Sequence, residues 1–204
     1  MRSERLVFLG LDFAVAAGGA LVLTGPNGSG KSSLLRLMAG LIEPYKGRLS
    51  WNGDDMADDP GLRRRIVSCL GHQDAVKPVL TVSENVRFWA GLDGHEERVA
   101  AALDAMGLAR LADSPSRFLS AGQRRRVALA RVIASGRALW LLDEPTVGLD
   151  TRSVAALEAA IAAHRKAGGV VVAATHADIR LPGAVGLDLS EYSTHHSLAD
   201  PEAL

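Results

Sequence analysis

The chain has 204 residues, 48% hydrophobic and 23% charged, with 23 basic residues against 23 acidic ones. A chain of this length can bury a full core as one domain, or as one domain with a subdomain inserted in it. The charge balance supplies no field for nucleic acid or an anionic membrane, and the lone Cys69 excludes an internal disulfide and suits a reducing compartment. No apolar run approaches the ~18 residues a bilayer span needs, so any membrane role comes through a partner.

The first stretch, MRSERLVFLGLDFAVAAGG, mimics a secretion signal, but Asp12 interrupts its apolar run. It is read instead as a strand pair over residues 6–15, followed by the buried strand ALVLT at 20–24. After the loop GPNGSGKS comes a helix, KSSLLRLMAG, with Leu34, Leu35, Met38 and Leu41 at helical spacing and Gly40 as its stop. GRLSWNG reads as a strand ending in an Asn-Gly turn, and IVSCLG as another strand.

From Thr81 the pattern becomes helical. TVSE has capping-box spacing, and HEERVAAALDAMGLARL places Val99, Leu103 and Met106 on one side of a second helix. Strands return at ALWLL (138–142) and VVVAA (170–174), with the helix RSVAALEAAIAAHRKAGG between them. The tail SEYSTHHSLADPEAL lacks periodicity and is read as a frayed end. Strands alternating with helices predict an α/β fold with a mostly parallel, helix-covered sheet. The domain is expected to be single over 1–204, with a core at 1–80 and 135–204 and an inserted helical subdomain at 81–134.

GPNGSGKS matches the P-loop spacing G-x-x-x-x-G-K-[ST]. Gly25, Gly28 and Gly30 let the backbone curl so that the loop from Gly25 through Pro26, Asn27 and Ser29 to Ser33 turns N–H groups toward phosphates. Lys31 reaches the β- and γ-phosphates, and the Ser32 hydroxyl is a ligand for Mg²⁺. ALWLLDEP adds two adjacent carboxylates at a strand end: Asp143 for the metal and Glu144 to polarise an attacking water. A third segment, LSAGQRRRVALAR, is a small-residue turn entering a helix, which is also a phosphate-binding geometry.

P-loop, LSAGQ, LLDEP and ATH, in that order, resemble an ATP-binding cassette ATPase with a P-loop NTPase (RecA-like) core, over nearly the whole chain. The resemblance implies ATP and Mg²⁺ as cofactors and a head-to-tail homodimer, in which Ser120, Gly122 and Gln123 of one chain close over ATP held by the other. It implies that Gln73 senses metal and water, that His176 contacts the γ-phosphate, and that Asp150 lies in a loop crossing the dimer interface. His72, His195 and His196 have no partner at metal-ligand spacing and are given no role. Arg124, Arg125 and Arg126 point in different directions around a helix and form no basic stripe. They are read as serving solubility or the interface.

Two departures stand out. Ala121 replaces the first glycine of the usual Ser-Gly-Gly-Gln, which would strain a left-handed backbone there. The given sequence begins too late to hold the adenine-stacking aromatic that the resemblance places well before the P-loop, so either nucleotide binding is expected to be weaker or less base-selective, or the true start lies upstream of Met1.

A lone short cassette implies the motor of a membrane transporter. GHQDAVKPVLTVSENVRFWAGL and FLSAGQRRRVALARV resemble the ATP-binding subunits of bacterial haem exporters of cytochrome c maturation. That resemblance implies a peripheral subunit on the cytoplasmic face of the inner membrane, docked on integral membrane subunits and acting indirectly on a haem chaperone. A motor for another cargo is the alternative. A small-molecule kinase would lack LSAGQ and His176. A nucleic-acid-associated ATPase would need a basic face, so no nucleic-acid partner is expected.

Overall fold

The computed structural model describes residues 7–92, 94–176 and 179–192. The anticipated strand pair at its start does not form: over residues 7–19 only an isolated bridge at Phe8 is present, and Leu6 lies outside the described residues. The alternation is nonetheless meaningful, because Leu11, Phe13 and Val15 pack against an apolar cluster, which Phe8 also joins, while Asp12, Ala14 and Ala16 are exposed. Alternation reports which face a residue takes; it does not supply a hydrogen-bonding partner strand.

Strand β1 (Ala20–Thr24) leads through the glycine loop into helix α1 (Lys31–Met38). The helix ends where expected. Gly40 adopts φ +73 and donates its N–H to Leu37 O, while the Leu41 N–H reaches Arg36 O, which together make a Schellman close. Leu41 therefore leaves the helix face and is 69% exposed, contrary to the periodicity. Strands β2 (Ser50–Trp51) and β3 (Asp54–Asp55) form a small hairpin, with Asn52 and Gly53 both at positive φ as a type I′ turn requires.

Helix α2 (Pro60–Ile66), which the periodicity did not reveal, starts on the Asp59 cap and runs directly into β4 (Val67–Leu70). Helix α3 (Val82–Leu92) opens with the capping box read from TVSE: Thr81 N–H donates to Glu84 Oε2 and Glu84 N–H to Thr81 Oγ1. Helices α4 (Val99–Ala105) and α5 (Ala121–Ala134) pack with α3. The fully buried Asn85 pins the preceding loop, accepting from Lys77 N–H and donating to Thr81 O and Ser116 Oγ. There follow β5 (Leu139–Asp143), α6 (Thr151–Lys166), β6 (Val170–Ala174) and a strand absent from the sequence reading, β7 (Val185–Asp188). A 3₁₀ turn over Leu189–Tyr192, with Leu189 fully buried, takes in the first three residues of the tail. The rest of it lies outside the described residues.

The main sheet is parallel, in the order β4-β5-β6-β1-β7. Leu21, Leu23, Leu139, Leu141 and Val172 face α1 on one side. Trp140, Leu142, Val171 and Ala173 face the other, sharing one apolar cluster with Val82 and Val86 of α3, Leu103 of α4 and Leu129 of α5. Coverage on both sides is why β5 and β6 read as unbroken apolar runs. Parallel strands deliver all their C-terminal ends to one edge. That edge carries the P-loop after Thr24, Glu144 after Asp143, His176 after Ala174 and Gln73 after Leu70.

Candidate active site

The P-loop surrounds a cavity of about 370 Å³, the size of a small-ligand site, lined by Asn27, Gly28, Gly30, Lys31, Ser32, Ser33, Asp143, Glu144, His176, His72 and Val7. Gly28 (φ +86) and Gly30 (φ +100) hold the loop in left-handed turns, and a side chain on Gly30 would strike Val7. Helix α1 opens at Gly30 with no side-chain cap, leaving its first N–H groups for an anion. Lys31 is buried, and its ammonium donates to Gly25 O at 2.7 Å and Pro26 O at 3.1 Å. Both of these acceptors are neutral carbonyl oxygens, so an anionic phosphate is a better partner than the loop itself. Ser29, within the loop, is buried, and its hydroxyl has no hydrogen-bond partner among the described residues.

Asp143 closes β5 and accepts a hydrogen bond from Ser32 Oγ at 2.9 Å. A hydroxyl and a carboxylate oxygen brought together this way are the hard donors that suit Mg²⁺. Glu144 follows at φ +45, outside the strand, with its N–H still donating to Ala174 O. Its carboxylate accepts from the His176 backbone N–H at 3.3 Å, and the His176 ring lies 3.8 Å away. The site thus gathers the glycine loop with Lys31, the Ser32–Asp143 pair and the Glu144–His176 pair around one cavity.

Ser120, Gly122, Gln123 and Asp150 lie elsewhere, around a second cavity of about 240 Å³ that shares no lining residue with the first. Ser120 caps α5 and forms a reciprocal box with Gln123: its Oγ accepts from Gln123 N–H, and its own N–H donates to Gln123 Oε1. The Ser-x-x-Gln spacing carried that signal. A Cβ on Gly122 would come within 2.7 Å of Gly148 O, so the close approach requires glycine. Ala121 is the first residue of α5, in ordinary helical conformation, so the expected strain is absent. Asp150 caps α6 by accepting from Ser153 N–H at 2.7 Å, and hydrogen bonding from the Ser153 side chain, then its backbone, holds the carboxyl below the usual range.

Gln73 is exposed and does not line the first cavity, whereas His72, given no role from sequence, does. His195 and His196 lie outside the described residues. Arg125, read as serving solubility or the interface, is instead 5% exposed.

A strand–P-loop–helix unit, set in a parallel sheet beside a carboxylate-ended strand, defines a P-loop nucleoside-triphosphate-binding α/β protein. Residues 8–147 match the family described as ABC transporter. The cytochrome c biogenesis ATP-binding export protein CcmA of Paramagnetospirillum magneticum is 56% identical over 203 residues, covering 97% of this chain and 94% of that protein. An ABC transporter ATP-binding protein from Pyrococcus furiosus has the same fold at a TM-score of 0.81 and 25% identity, covering 94% of each chain. A dimeric ATP-binding cassette in a post-hydrolysis state, bound to ADP and Pi, matches at a TM-score of 0.75 and 27% identity, covering 84% of this chain and 80% of that one. The chain belongs to the ABC transporter family.

Proposed function

We propose that this chain is the ATP-hydrolysing motor subunit of the haem exporter used in c-type cytochrome biogenesis. The observation that carries the reading is the 56% identity with a cytochrome c biogenesis export protein over nearly the full length of both chains. The complete P-loop and carboxylate site supports the chemistry.

In this reading the P-loop backbone and Lys31 hold the ATP phosphates. Ser32 and Asp143, with Gln73 brought in from the segment after β4, hold Mg²⁺, which neutralises charge on the phosphates. Glu144 accepts a hydrogen bond from the attacking water and aligns it with the γ-phosphorus; His176 stabilises the γ-phosphate oxygens. Water adds as the β–γ bridge breaks, releasing ADP and phosphate. The second cavity, with Ser120, Gly122 and Asp150, acts on ATP held by another copy of the chain. Its separation from the first cavity supports that trans arrangement.

Residues 81–134 form a helical arm on a core made of 1–80 and 135–204, and the arm presents the α5 N-terminus to the partner. The homodimer sits on the cytoplasmic face of the inner membrane against integral membrane subunits, and a haem chaperone is served indirectly. No helix among the described residues is long and apolar enough to cross a membrane, so those subunits supply the spans.

The test is to tag the Glu144→Gln chain in its native cell, solubilise membranes gently with ATP, and identify the co-purifying proteins while reading haem by absorbance. Multi-spanning partners with a haem-bearing chaperone support the reading. Membrane partners without haem-pathway proteins leave the ATPase and remove the cargo. A dimer with no membrane partner removes the transporter.

A further inference from the structure

The three arginines after Gln123 reach three different places. Arg124 donates to Leu119 O and Arg126 to Met106 O, each tying down a nearby loop. Arg125 points inward. Its Nη2 donates to Asp143 O at 2.7 Å and Glu144 O at 2.6 Å, and its Nη1 to Gly71 O at 3.1 Å and Asp74 Oδ1 at 2.9 Å. One guanidinium thus joins helix α5, the turn bearing Glu144, and the segment bearing Gln73.

We propose that Arg125 is a positioning residue for hydrolysis: it holds the Glu144 turn in its left-handed conformation and fixes that turn to residues 71–75. In an extended strand, successive carbonyls point to opposite sides. Here the carbonyls of Asp143 and Glu144 converge on a single nitrogen, which requires the chain to leave the strand at Glu144. A non-glycine residue at φ +45 sits in a sparsely populated region and persists only where its surroundings hold it. The buried, charge-assisted bonds from Arg125 supply that hold, and the Asp74 carboxylate compensates the buried charge. Arg131, further along α5, grips the same segment by donating to Asp74 O and Ala75 O, so α5 holds residues 74–75 at two points. The helix whose N-terminus faces one nucleotide therefore also sets the carboxylate that serves the chain's own nucleotide. A rigid planar fork suits four acceptors spread over two segments; an ammonium does not.

The inference rests on Glu144 being the water-polarising group, and the experiment separates the two. Arg125→Lys, Glu144→Gln and the double variant are assayed in the assembled transporter for kcat, KM and ATP affinity, and by hydrogen exchange at residues 144–147. We expect Arg125→Lys to lower kcat at least tenfold with KM and ATP affinity within about twofold. Exchange should rise at the Glu144 N–H, which is bonded to Ala174 O. The double variant should be no slower than Glu144→Gln, because Arg125 acts only through that carboxylate. If Glu144→Gln stalls while Arg125→Lys turns over normally, the positioning role is overturned and Glu144 stands. If Glu144→Gln itself turns over normally, the reading of Glu144 is overturned, and the inference falls with it. Parallel loss of melting temperature, ATP affinity and kcat in Arg125→Lys means a merely structural arginine and also overturns the role. Asp74→Asn, at the 25% exposed end of the network, keeps the test open where Arg125 variants fold poorly. The same kcat-only loss supports the inference, and unchanged kcat overturns it.

Discussion

The Ser32 hydroxyl donates to the Asp143 carboxylate at 2.9 Å, joining two residues 111 positions apart in the chain. Neither belongs to the other's local structure: Ser32 sits in the first turn of α1, and Asp143 is the last residue of β5. Asp143→Asn keeps the shape and a hydrogen-bonding oxygen but removes the charge. Hydrogen bonds to charged groups contribute about 1.5–3 kcal/mol, so MgATP affinity should fall roughly tenfold to a hundredfold. Calorimetric titration with and without magnesium checks this, and an equal loss in both conditions would count against a metal role.

Lys31→Ala removes the buried ammonium that the loop carbonyls now hold. ATP affinity should drop by about tenfold or more, from the loss of one charge-assisted contact to phosphate. The melting temperature of the apo chain should change little, because Lys31 lines the cavity and water entering there can replace its ammonium on the two carbonyls. Tight MgATP binding by this variant would contradict the assignment of the loop.

Glu144→Gln should bind ATP as well as the parent chain and hydrolyse it about 10²–10⁴-fold more slowly, the usual contribution of a general base. Stalled hydrolysis should also trap a dimer, visible by light scattering in ATP and reversed on its removal. Unchanged turnover removes Glu144 from the mechanism.

Gly122 and Ala121 are neighbours with opposite tolerance. Gly122→Ala places a methyl within 2.7 Å of Gly148 O, so the loop pair must separate, and overpacking of this kind costs about 1–3 kcal/mol. We expect ATP-dependent dimerisation to be lost while ATP binding by the single chain survives. Ala121→Gly, in the first turn of α5, should cost no more than about 1 kcal/mol and leave dimerisation intact. Sedimentation in ATP distinguishes them; loss of ATP binding in Gly122→Ala would sink the trans assignment.

His164 stacks face to face on Trp140, with centroids 3.9 Å apart, and burial pushes its pKa down from the ordinary histidine value of 6.5, against the backbone bonds to Val170 and Ala138 that raise it. The unfolded chain then binds more protons than the native one between the lowered pKa and 6.5. This group's stability is fully present above the unfolded pKa and is lost as pH falls through the folded one. Melting temperature should decline as pH drops below about 6.5. His164→Asn should flatten that decline relative to the parent, whatever it does to the absolute value. An identical slope in both chains would show that other groups set it.

The sequence by itself determined what lies within a few residues of covalent spacing. The glycines and Lys31 of the P-loop, the Thr81–Glu84 box, the Gly40 stop and the apolar runs of β1, β5 and β6 are local requirements of backbone geometry and burial. Short elements escaped it: β7 is four residues long with a single buried position, and α2 has seven residues and only a cap to announce it. Phe8 to Val15 showed the right faces without the ladder that makes a strand.

Only the tertiary structure decided which distant groups meet. Sheet order places β6 between β1 and β5, so His176 arrives beside Glu144 and Asp143 beside Ser32. The same packing turned Arg125, one of three arginines indistinguishable in sequence, into a buried clamp on the Glu144 turn. The physical reason is that a side chain's environment depends on what the two faces of the sheet press against it, and no spacing along the chain encodes that.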